Sequence, residues 1–100
     1  MKREEILARA KDIVSGDRDR QYGSPENSFN RIAQLWQAYL KYPIDAGDVA
    51  MMMVLFKIAR LRVKPNHEDS WVDIAGYAAC GGEIATTEIG EAREIKDGEW

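Results

Sequence analysis

The sequence predicts an all-α domain: about four helices in a compact, mostly antiparallel bundle. Three observations predict it. Apolar residues recur at three- and four-residue intervals through three separate stretches of the chain. A fourth stretch, residues 67–86, is apolar on nearly every side, as a central helix would be. No strand-like alternation persists beyond a few residues, and the connections are short enough for antiparallel neighbours.

In chain order, Ile6, Leu7, Ala10 and Val14 sit at helical spacing, so a first amphipathic helix is expected over 3–14. The segment SGDRDRQYGSPEN then reads as a connection, rich in glycine and polar residues. Ser24 followed by Pro25 is the order preferred at a helix start, and the second helix should run from 25 to about 40. Phe29, Ile32, Leu35, Trp36, Tyr39 and Leu40 form its broad apolar side. Asp45 can cap a third helix over about 46–62, with Asp48 in its first turn and Val54, Leu55, Ile58 and Leu61 on its apolar face. VKPNH ends it, and the fourth helix begins at Asn66 or a neighbouring polar residue and reaches 86 or beyond. Nothing in residues 88–100 decides whether that tail continues as helix.

One hundred residues suit a single domain over 1–100, with a core modest enough that subunit contacts often help. The apolar share of 45% and charged share of 31% exclude a disordered tail. A net charge of −3 argues against a general nucleic-acid binder, and no nucleic-acid partner is expected. The single cysteine, Cys80, excludes an intrachain disulfide framework, suits a reducing cytoplasm and reads as a small buried hydrophobe. The N-terminal segment lacks the apolar run of a secretory signal, and AMMMVLF falls far short of the roughly 20 residues of a membrane span. The expectation is a cytoplasmic protein with no membrane partner.

Helix four carries the anomaly. Asp69 and Asp73 stand one turn apart, about 40° from each other around the axis, in a helix otherwise nearly free of charge. Like charges at this spacing repel, and burial adds to the cost unless something positive lies beside them. Two answers remain open. A divalent cation such as Mg²⁺ or Mn²⁺ prefers hard oxygen ligands and needs few protein carboxylates when phosphate supplies the rest. Alternatively, Lys57, Arg60 or Lys64 of helix three forms plain ion pairs with them.

Other residues suit a nucleotide site or an ordinary surface. Glu26 could add a third carboxylate, and Asn27 and Asn30 could bond water or phosphate. Arg20 suits bidentate phosphate contact, and Tyr22 could stack on a base. Lys57 and Arg60 are candidates for phosphate or for salt bridges. His67, the sole histidine, suits acid–base chemistry or helix capping. Trp71 and Tyr77 read chiefly as packing residues, and Met51, Met52 and Met53 as core or subunit contacts. Glycine-rich phosphate loops, HExxH zinc patterns, paired cysteines and nucleophile elbows do not occur.

The segments DRQYGSPENSFNRIAQLWQAYL, DVAMMMVLFKIARL and HEDSWVDIAGYAACGGEIA together resemble a family of small, mostly phage-associated proteins of uncharacterised function. The likeness spans roughly residues 15–87, carried most specifically by YG, KIARL and DSWVDIAGYA. More remotely the chain is similar to the all-α nucleoside triphosphate pyrophosphatases of the MazG type. That resemblance implies a helical oligomer, often built from dimers, which uses Mg²⁺ held by acidic residues to cleave an NTP or dNTP into monophosphate and pyrophosphate. The superfamily pattern is ExxE on one helix and ExxD on a later one. Asp73 falls on the final aspartate, and Ser70 stands where the upstream acid belongs, with Asp69 one position before it. The earlier pair falls on Asn27 and Asn30. Two carboxylates thus occupy a site meant for four, with Glu26, Glu68 and Glu83 as candidate substitutes. On this resemblance Asp69, Asp73 and Glu26 are the expected metal ligands. Lys57, Arg60 and Arg20 would neutralise the phosphates, in an enzyme that shapes a nucleotide pool or removes a modified nucleotide. The alternative is a catalytically inactive helical module that binds a nucleotide or a protein.

Overall fold

The computed structural model describes residues 1–16 and 25–87, less the side chains of residues 25 and 26. Four α-helices make up this part: α1 Arg3–Ser15, α2 Pro25–Leu40, α3 Ala46–Val63 and α4 Glu68–Thr87. Each starts and stops within a residue or two of the sequence expectation.

The boundaries have local causes. At the end of α2, Lys41 turns into the left-handed region (φ 56°), and its N–H donates to the Gln37 carbonyl. The Gln37 side chain accepts from Ile44 N–H at 3.1 Å, holding the turn closed. Asp45 then caps α3: its carboxylate accepts from Asp48 N–H at 2.8 Å while Asp48 accepts from Asp45 N–H at 3.0 Å. This reciprocal box satisfies two donors that a helix start otherwise leaves orphaned. The Lys64 N–H closes α3 on the Arg60 carbonyl, and Pro65 prevents continuation. The cap of α4 is His67 rather than Asn66. Its Nδ1 accepts from Ser70 N–H at 3.3 Å and lies 2.7 Å from Ser70 Oγ.

As its composition predicts, α4 is central and lies against α1, α2 and α3. Phe29 and Ala33 of α2, Ala46, Val49 and Ala50 of α3, and Ile84 of α4 form the buried cluster. Ile32, Trp36, Ile44, Met53, Tyr77 and Cys80 flank it. The Tyr77 ring tilts against Phe29 at 6.1 Å between centroids, so Tyr77 packs as expected. Where α3 meets α4, a Cβ added to Gly81 would stand 2.7 Å from the Ala50 Cβ. That approach is open only to glycine, and it offsets the roughly 1 kcal/mol a mid-helix glycine costs. Contacts at Ala50–Gly81 and Lys57–Asp73 advance in opposite senses, so α3 and α4 are antiparallel. Contacts at Arg9–Asp69 and Val14–Gly76 advance together, so α1 runs with α4 and departs from the antiparallel expectation.

Several expected faces need correction, the first being α1, where Leu7 is exposed while Ala10 is buried. Leu35, Tyr39 and Leu40 of α2 are exposed, because the core takes only the narrower stripe through Phe29, Ala33 and Trp36. Leu55 and Ile58 of α3 are exposed, as is Met51, because α4 packs against another side of the helix, through Ala50 and Lys57. Trp71 is half exposed, with its indole N–H donating to the Pro65 carbonyl at 2.8 Å, so it braces the α3–α4 turn. No helix among the described residues is long and apolar enough to cross a membrane.

Candidate functional site

The two aspartates that mark α4 meet cations from different helices. Asp73 faces α3, where Lys57 Nζ lies 3.1 Å from Oδ2. This pair is partly sheltered, the lysine side chain being 14% exposed and the aspartate 30%. Lys57 comes from the half of α3 that packs on α4. Its aliphatic stem can cover apolar surface while the ammonium reaches the carboxylate, and that ammonium also lies 5.5 Å from the Phe56 ring centroid.

Asp69, one turn earlier, faces α1. Arg9 Nη2 donates to its Oδ1 at 2.7 Å, in a pair open to solvent on both sides. That hydrogen bond and then the guanidinium charge hold the Asp69 carboxyl below the usual carboxylate range, against some desolvation. His67 and Lys57 pull in the same direction more weakly.

Of the two explanations left open for the aspartates, ion pairing is present for each. Lys57 is a partner as expected. Arg60 is exposed on α3 and pairs with neither aspartate among the described residues. Arg9 went unrecognised in the sequence. Its signal was its place between Ile6 and Ile13 and next to buried Ala10, which puts it on the margin of the α1 face turned to α4. Ser70, at the position of the expected upstream acid, is 1% exposed and bonded to His67, so this position belongs to the cap. His67 is likewise occupied as the cap.

Asn27 and Asn30 are exposed along α2. Arg20, Tyr22 and the Glu26 side chain lie outside the described residues, as does the tail 88–100. Glu68 and Glu83 are exposed on α4. Glu83 is ten residues beyond Asp73, about 15 Å along the axis, too far to share an ion with it. Among the described residues, no three His, Cys, Asp or Glu side chains converge as a metal cage. The donor set nevertheless suits Mg²⁺ in one respect: this ion commonly takes one or two carboxylates and leaves its other positions to water and substrate phosphate. Asp69 and Asp73 stand one turn apart, but each turns to a cation on a different helix.

Residues 5–85 match the family described as "Domain of unknown function (DUF6378)". The "Gene 55 protein" of Mycobacterium phage D29 is 41% identical over 92 residues, covering 91% of this chain and 61% of its own length. The "Gene 55 protein" of Mycobacterium phage L5 is 46% identical over 74 residues, covering 73% of this chain and 47% of its own. The chain thus spans about half to three-fifths of the phage proteins it matches. No solved structure matches it. With four-fifths of its residues inside the family's pattern and close relatives in two mycobacteriophages, the chain belongs to the DUF6378 family, a phage-associated family of uncharacterised function.

Proposed function

We propose that this chain is a MazG-like, metal-dependent pyrophosphohydrolase that cleaves a nucleoside triphosphate into monophosphate and pyrophosphate. The observation that carries the reading is the sheltered Lys57–Asp73 pair between α3 and α4, with a second carboxylate, Asp69, one turn earlier on α4. Such a group of one cation and two acids can divide when substrate arrives, the ammonium going to phosphate and the carboxylates to a divalent ion.

Asp69 and Asp73 would hold Mg²⁺ or Mn²⁺, which supplies charge neutralisation at the phosphates and a more acidic water. Arg9 lowers the proton affinity of the Asp69 carboxyl and would have to release it for the carboxylate to serve as a ligand. Lys57 would offset charge on the departing pyrophosphate, as would Arg60 and Arg20. A water oxygen bonds to the α-phosphorus as the α–β anhydride breaks. Pyrophosphate leaves with the electron pair, and the water's proton passes to a carboxylate. A homo-oligomer working in the cytoplasm on a phage-related nucleotide pool belongs to the same reading.

A second reading is a catalytically inactive helical module that binds a nucleotide or a protein. It is favoured by the ion pairs, since each aspartate already holds a cation. Pyrophosphate release from a panel of NTPs and dNTPs with Mg²⁺ or Mn²⁺ separates the two. Release by the wild type, lost in Asp73→Asn with helicity retained, is the result expected of the enzyme. A folded protein that releases none across the panel overturns that reading and leaves the module.

A further inference from the structure

Apolar residues recur in most directions around α3, yet α2 and α4 cover only part of its circumference. Met51, Leu55 and Ile58 follow one another at intervals of four and three residues on the open side, and Leu55 is 63% exposed. Extending the same spacing outward reaches Asp48 in the first turn and Arg62 in the last. These five positions, 48, 51, 55, 58 and 62, fall within an arc of about 80° and repeat as the seam of a coiled coil does. A helix with this composition is normally buried on all sides.

The seam is close to symmetric about Leu55, with Asp48 seven residues before it and Arg62 seven after, and it is opposite in charge at its two ends. We propose that a second copy of this chain docks on it, α3 against α3 and antiparallel, with Leu55 meeting its own counterpart on a two-fold axis. Antiparallel alignment sets Met51 beside Ile58 of the partner copy, and Asp48 beside the partner copy's Arg62, twice per dimer by symmetry. It also opposes the two helix dipoles, placing each positive N-terminus beside a negative C-terminus. Parallel alignment does the reverse: it stacks Asp48 on Asp48 and Arg62 on Arg62. Asp48 keeps its capping bond to Asp45 throughout, since its charge acts on Arg62 without giving up that contact. Lys57 and Asp73 lie on the opposite side of α3, so docking leaves them open. The proposal takes up the expected self-association but is independent of any catalytic activity.

The test uses single cysteines in a Cys80→Ala background under mild oxidation. Leu55→Cys is expected to give a covalent dimer. Met51→Cys alone is expected to give none, whereas Met51→Cys mixed with Ile58→Cys gives a mixed dimer. Leu55→Lys should sediment as a monomer with helicity retained, and Arg62→Glu should weaken dimerisation about tenfold at low salt. A wild type that sediments as a monomer throughout overturns the proposal. So does cross-linking of Met51→Cys to itself, or a dimer in which Leu55→Cys does not cross-link. None of these readouts uses nucleotide, so this proposal and pyrophosphate release succeed or fail separately.

Discussion

The two halves of α4 hold their neighbours by opposite means. Toward its C-terminus the helix removes side chains: Gly81 lets Ala50 of α3 come against the backbone, and Ile84 fills the space beside it with no exposed surface. Toward its N-terminus it extends them: Asp69 and Asp73 reach out to Arg9 and Lys57. Close apolar packing resists displacement because every lost contact leaves a gap or a clash. The exposed Arg9–Asp69 pair can exchange its partners for water at little cost, whereas the Lys57–Asp73 pair is partly sheltered. One end of the helix is therefore held by close apolar packing and the other by ion pairs.

The contrast can be broken from the packed end first. Ile84→Ala removes a fully buried side chain and is expected to cost about 2–5 kcal/mol of unfolding free energy in a urea titration. Gly81→Ala should cost about 1–3 kcal/mol although alanine is the better helix former, because its methyl meets Ala50. If it stabilises instead, the helices separate there freely and close packing does not hold that end. At the other end, Asp69→Asn should change stability least, and added salt should shrink the difference. The sign with pH follows from the lowered folded-state pKa. The pair's contribution is present above the unfolded carboxylate range and is lost as pH falls through the folded value. Melting curves of wild type and Asp69→Asn should therefore converge in acid. Curves that stay apart there would mean Asp69 contributes through something other than its charge.

Helix positions were legible because their signals are local. Asp45 and Asp48 announce the start of α3, Pro65 its end, and the small and apolar residues on nearly every side of α4 its central place. Which apolar residues are buried was legible only in part. Leu35 and Leu55 satisfy helical periodicity as well as Phe29 and Val49 do, and only the packing of one helix on another separates them. The site shows the same division. The aspartates and Lys57 stood out as charges in apolar helices, whereas Arg9 looked like any surface arginine of an amphipathic helix. Its role appears once α1 is laid along α4, a relation between residues sixty positions apart that no local pattern encodes.

The missing methyl at Gly81 has an effect beyond its own contact. Ala50 and Gly81 lie two turns from Lys57 and Asp73 on their respective helices, about 11 Å along each axis. Because the helices touch backbone to side chain at that point, their separation and register are set there and carried along to the ion pair. The reach between ammonium and carboxylate is thus dictated by a side chain that is absent. A bulkier residue at 81 would wedge the pair open and change the chemistry of a group it never meets.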